Sequence, residues 1–122
     1  MKGLFWNCRG IEKKCVSSFL RNLILEHKFH VIGILEHKFQ ETMQQDIRDH
    51  LLRQIDPHQS YLWKWIPSYA RSGGILSGVH LEYLDVDSFK KGRFILQMQL
   101  WDKQMTFWQN WLTSVGNALT QS

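Results

Sequence analysis

The chain has 122 residues, 43% of them apolar and 21% charged, so it can bury one core and is not disordered by composition. Its formal net charge of +4 suits a polyanionic partner, yet Lys and Arg are scattered singly or in pairs, so charge permits nucleic acid without demanding it. Cys8 and Cys15 match no zinc or redox spacing, no apolar run approaches membrane length, and the start is too short for a signal-peptide core, which predicts a soluble intracellular protein with free thiols.

Leu4-Phe5-Trp6 is a short apolar run that stops on Asn7, Cys8, Arg9 and Gly10. It reads as a buried strand whose carboxyl end opens into a site, because ligands of α/β sheets bind outside that end of the strands. Asn7 is the candidate side chain there. From Ile11 to Phe29, two rows of period four, Cys15, Phe19, Leu23 and Val16, Leu20, Ile24, predict an amphipathic helix. His30 to Ile34 is a β-branched strand, and a right-handed crossover through the helix lays it parallel to the first. The residue after Ile34 then falls near Asn7.

Ile24-Leu25-Glu26-His27-Lys28-Phe29 recurs letter for letter as Ile34-Leu35-Glu36-His37-Lys38-Phe39. One exact repeat cannot build a solenoid, so it reads as a local duplication. Thr42 with Gln45 then makes a capping box ahead of a helix whose stripe is Met43, Ile47, Leu51 and Ile55, ending near Pro57.

Gln59 to Ile66 alternates with Tyr61, Trp63 and Trp65 on one face, an aromatic row that either stacks bases or packs the core, the core reading being the stronger. Pro67 to Arg71 is a loop, Ser72 to Val79 a strand with paired glycines, and Glu82 to Phe89 another strand ending at a Lys90-Lys91-Gly92 turn. Arg93 to Trp101 and Met105 to Leu112 complete an antiparallel meander about an Asp102-Lys103-Gln104 turn, and the polar residues from Thr113 to Ser122 are expected to fray. The fold class is therefore α/β, an α+β sandwich with a β-α-β-α start. Residues 1–116 form the domain and 117–122 the frayed tail.

Trp6-Asn7-Cys8-Arg9-Gly10 resembles the W-N-x-R-G signature that opens the endonuclease/exonuclease/phosphatase, or DNase I-like, family. Gln40-Glu41-Thr42 resembles that family's second motif, and Arg71-Ser72-Gly73-Gly74-Ile75 its glycine-rich strand, most closely in the endonuclease domains of plant LINE-type non-LTR retrotransposons. The resemblance implies half of a four-layer sandwich, hydrolysis of phosphodiesters, a DNA substrate, Mg²⁺ as cofactor and a nuclear location. It makes Glu41 the metal ligand, with Glu36 as the competing choice, and gives Asn7 the role of orienting the phosphate or the attacking group. Glu41 has the motif behind it, whereas Glu36 follows the strand directly.

The chain departs from the family where the general base and most of the charge stabilisation reside. The later aspartate/asparagine and aspartate-histidine pairs are not among these residues, and the tyrosine-glycine expected at the end of the meander is Val115-Gly116. The implied function is a truncated, degenerate endonuclease-like domain, inactive alone, whose missing half could join in trans. Two other readings stand beside it: a non-enzymatic nucleic-acid-binding module, and a remnant without biochemical role. His27, His30, His37, His50, His58 and His80 sit at no metal-ligand spacing.

Overall fold

The computed structural model describes residues 2–8, 10, 11, 13–36, 45–66, 74–92, 95–114 and 117–121. They run as β1 (Gly3–Cys8), α1 (Lys14–His27), β2 (Val31–Glu36), α2 (Gln45–Ile55), β3 (Tyr61–Ile66), β4 (Gly74–His80), β5 (Leu84–Lys91), β6 (Ile95–Asp102), β7 (Phe107–Ser114) and β8 (Asn117–Gln121). Among the described residues, two helices and two sheets make a mixed α/β architecture, as the apolar periodicities require.

The first sheet has the order β1-β2-β4-β3 and the second the order β5-β6-β7-β8. β1 and β2 are parallel, the outcome expected of a helical crossover, and the remaining pairs are antiparallel. β2 is buried at every position because it has a strand on each side and a layer on each face. Its alternate residues divide between those layers. Ile32 and Ile34 join Leu20 and Ile24 of α1 and Leu51 and Ile55 of α2, while Val31 and Leu35 meet Met98, Leu100 and Leu96 of β6. The order of layers is therefore helices, first sheet, second sheet.

The apolar run of β1 predicts a buried strand, and here the structure corrects the reading. β1 is an edge strand with alternating burial, and Phe5 remains 39% exposed. Its helix-facing residues, Leu4, Trp6 and Cys8, pack into the core. α1 starts only at Lys14, because Gly10 at φ 76° bends the chain into a turn closed by the Lys13 N–H on the Gly10 carbonyl at 2.9 Å. It stops at Lys28, whose left-handed backbone, φ 50°, lets its N–H donate to the Ile24 carbonyl at 3.0 Å.

The duplicated hexamer is thus put to two uses: its first copy ends α1, and Ile34-Leu35-Glu36 of the second ends β2. Residues 37–44 and 67–73, including Glu41, the capping box and most of the glycine-rich motif, lie outside the described residues. Two expectations for the second half change. Lys90 and Lys91, expected to turn, continue β5 and pair with Gln97 and Leu96. The tail expected to fray runs as β8, with Ala118 against Thr113 and Thr120 against Trp111, because the β7 edge offers free backbone donors and acceptors.

Candidate functional site

β1, β2, β3 and β5 finish at the same end of the sandwich. The rungs Asn7↔Leu35 and Cys8↔Glu36 close the parallel pair, and Leu35, Ile66, Ile75 and Leu96 share one apolar cluster beneath that rim. Leu35, the residue after Ile34, is therefore the partner of Asn7, as the strand order read from sequence predicts, and Glu36 stands on the next rung.

The side chains of Asn7 and Glu36 are not brought into one pocket. In a strand successive side chains take opposite faces, so Asn7 shares the face of Leu35, toward the second sheet, and Glu36 shares the face of Cys8, toward the helices. Asn7 is exposed on the edge strand. Glu36 is 1% exposed, and its Oε2 accepts the Ile11 N–H at 2.8 Å. That bond ties the tip of β2 to the loop after β1. A buried carboxylate accepting a backbone N–H is a charge-assisted bond, roughly twice as strong as a neutral one.

Glu36 does not fit Mg²⁺. A hydrated Mg²⁺ keeps several waters and needs an open carboxylate, whereas Glu36 is enclosed and already an acceptor. No group of three or more His, Cys, Asp or Glu able to hold a metal occurs among the described residues. Glu41, the other expected ligand, lies outside them.

The aromatic row resolves in favour of the core. Tyr61 and Trp63 are buried against the helices, and Trp65, half-buried, packs on the same cluster. Tyr61 and Trp63 are both held by Asp56, which composition alone does not mark. This carboxylate, 5% exposed, accepts the Ser60 N–H at 2.9 Å, the Tyr61 N–H at 3.0 Å and the Trp63 Nε1–H at 3.1 Å. Its sequence signal is faint: an acid just before Pro57, where a helix has to end. A cavity of about 530 Å³ beside it, lined by Asp49, Leu52, Arg53, Asp56, Tyr61 and Trp63, is separate from the Asn7–Glu36 rim.

The opposite end of the sandwich carries a cluster of rings, tilted or edge-on to one another. His30 and Tyr83 lie 4.5 Å apart, Tyr83 and His80 4.7 Å, and His80 and Tyr61 4.7 Å, centroid to centroid. Burial lowers the pKa of both histidines below the ordinary imidazole value. Cys8 is buried and Cys15 exposed, neither in a disulfide, and no described helix is long and apolar enough to cross a membrane.

In comparisons with protein-family models, curated proteins and solved structures, nothing matches the chain.

Proposed function

We propose that these residues supply the amino-terminal half of a DNase I-like, phosphodiester-cleaving domain of the LINE endonuclease kind, and that they do not complete the reaction by themselves. The supporting observation is the parallel pairing that sets Asn7 and Glu36 on adjacent rungs at the carboxyl rim of β1 and β2, where the family resemblance as a whole calls for an amide and an acid. In this reading Asn7, exposed on the rim, contacts the phosphate, and Glu36 holds the loop after β1 through Ile11. Any cation role falls to Glu41.

The general base and the donors to developing negative charge are not among the 122 residues, and such groups supply most of the rate enhancement in hydrolysis of this kind. The test is a supercoiled-plasmid nicking assay in Mg²⁺, with and without a separately expressed carboxyl-terminal half of a LINE endonuclease domain. The chain alone is expected to leave the plasmid intact. Nicking is expected with the added half and is lost in Asn7→Ala. Nicking by the chain alone that disappears in Glu41→Ala overturns the claim of incompleteness, and failure of every combination counts against the family reading itself.

A further inference from the structure

A second feature of the rim has no counterpart in the motifs. Lys64 of β3 and Lys91 of β5 both direct their ammonium groups at one ring: Nζ of Lys64 is 4.8 Å from the Phe89 centroid, and Nζ of Lys91 is 5.8 Å from it and 5.6 Å from that of Trp65. Phe89 packs against both clusters between the sheets, so the ring is a fixed anchor. Its π face lowers the cost of holding each ammonium nearby, and it gathers two like charges about one ring. Neither lysine is within ion-pair reach of a carboxylate among the described residues. The site sits where β3 and β5 end, on the same rim as Asn7.

We propose that Lys64, Phe89 and Lys91, with Trp65 at its side, form a phosphate-binding corner that holds the backbone of a nucleic-acid strand. This rests on the phosphodiester reading and adds to it a site of contact outside the reacting centre. Two ammonium groups held in place by rings lose less rotamer entropy on binding phosphate than free surface lysines do. A nucleic-acid strand offers anionic groups in series, so neighbouring phosphates can engage both lysines at once, and the contact carries no base preference. The chain's net charge of +4 favours the same partner.

The experiment is fluorescence anisotropy of a labelled, mixed-sequence single-stranded DNA oligonucleotide in EDTA, across a salt series. Wild type is expected to bind saturably, with log K falling linearly against log salt. K64A/K91A is expected to flatten that slope by about 1.4, roughly 0.7 for each lost phosphate contact on a single strand. K64R/K91R keeps the slope, and K64Q/K91Q gives the same readout as the alanine pair should the latter melt early. A wild-type slope unchanged in both neutral variants overturns the corner while leaving the phosphodiester reading to the nicking assay. Absence of saturable binding by the wild type overturns the corner outright, and nicking with the added half would then show that the phosphodiester reading survives it.

Discussion

Gly78 of β4 lies directly across from Trp63 of β3, and a Cβ at position 78 would stand 2.6 Å from the indole Cζ3. The indole cannot retreat, because it is buried and its Nε1–H is fixed on Asp56 at 3.1 Å. Gly78→Ala is therefore expected to destabilise the fold by about 2 kcal/mol, in the range of core overpacking. Replacing Trp63 by Phe removes part of the fused ring, so W63F/G78A should show a favourable coupling in a double-mutant cycle measured by urea denaturation. Additive losses would mean that the ring is not what excludes the methyl group.

Asp56 closes the turn between α2 and β3 with three accepted hydrogen bonds. Asp56→Ala strands the buried donors of Tyr61 and Trp63 together, at about 1–3 kcal/mol for each unsatisfied group. A loss of about 3 kcal/mol or more is expected on that basis, well beyond that of a surface acid. Asp56→Asn keeps one acceptor oxygen and should recover part of it. The measurement is again urea denaturation, with tryptophan fluorescence reporting the release of Trp63.

The periodicities carry the fold a long way. The row through Val16, Leu20 and Ile24 places α1, and the alternation of Tyr61, Trp63 and Trp65 places β3 with its buried face. What sequence does not settle is decided by neighbours. Glu26 and Glu36 stand in identical hexamers, yet Glu26 is exposed on α1 and Glu36 is enclosed at the end of β2, since β1 and β4 flank β2 with hydrogen bonds that no local propensity encodes. β1 looks buried in sequence because its residues are apolar, and only the strand order reveals it as an edge. The paired glycines at 73 and 74 stand out in the sequence as a site of close approach or a bulge, while Gly78, which has a large ring opposite it, can be recognised only from the β3–β4 register. For the site, the resemblance names Asn7 and an acid, and pairing parity shows why their side chains diverge.

Glu36 and Ile11 supply a test that separates a structural acid from a binding one. The Ile11 N–H is buried with its residue, and it donates to Glu36 Oε2 at 2.8 Å. Glu36→Gln retains a carbonyl oxygen for that bond and should cost about 1 kcal/mol, whereas Glu36→Ala leaves the donor unsatisfied and opens a cavity, costing about 3 kcal/mol. Thermal melts with and without Mg²⁺ complete the comparison. A wild-type melting temperature raised by Mg²⁺ and no longer raised in Glu36→Gln would overturn the assignment of Glu36 as an enclosed tie.

The ring cluster at the far end predicts how stability changes with pH. Nδ1 of His30 accepts the Lys2 N–H at 3.2 Å, and Nδ1 of His80 accepts the Glu82 N–H at 3.2 Å, so each ring is held neutral with its proton on Nε2. Burial is the main reason both pKa values are lowered from 6.5. Of the charges around His30, the terminal ammonium and the Lys2 ammonium act in the same direction and Asp102 against it; around His80, Lys28 and His30 lower the value while Glu82 and Asp56 raise it. A base with a lowered pKa in the folded state takes up its proton more readily when unfolded. Its stabilising contribution is therefore complete above the unfolded value of 6.5 and is lost as pH falls through the lowered folded values. Protonation also forfeits both Nδ1 hydrogen bonds, which join the start of β1 to β2 and the β4–β5 turn to β4. Thermal melts followed by circular dichroism should therefore show a falling midpoint between about pH 7 and about pH 5.5, before most carboxylates titrate. The slope should flatten in His30→Gln/His80→Gln, and an equal slope in that variant would assign the effect to other groups.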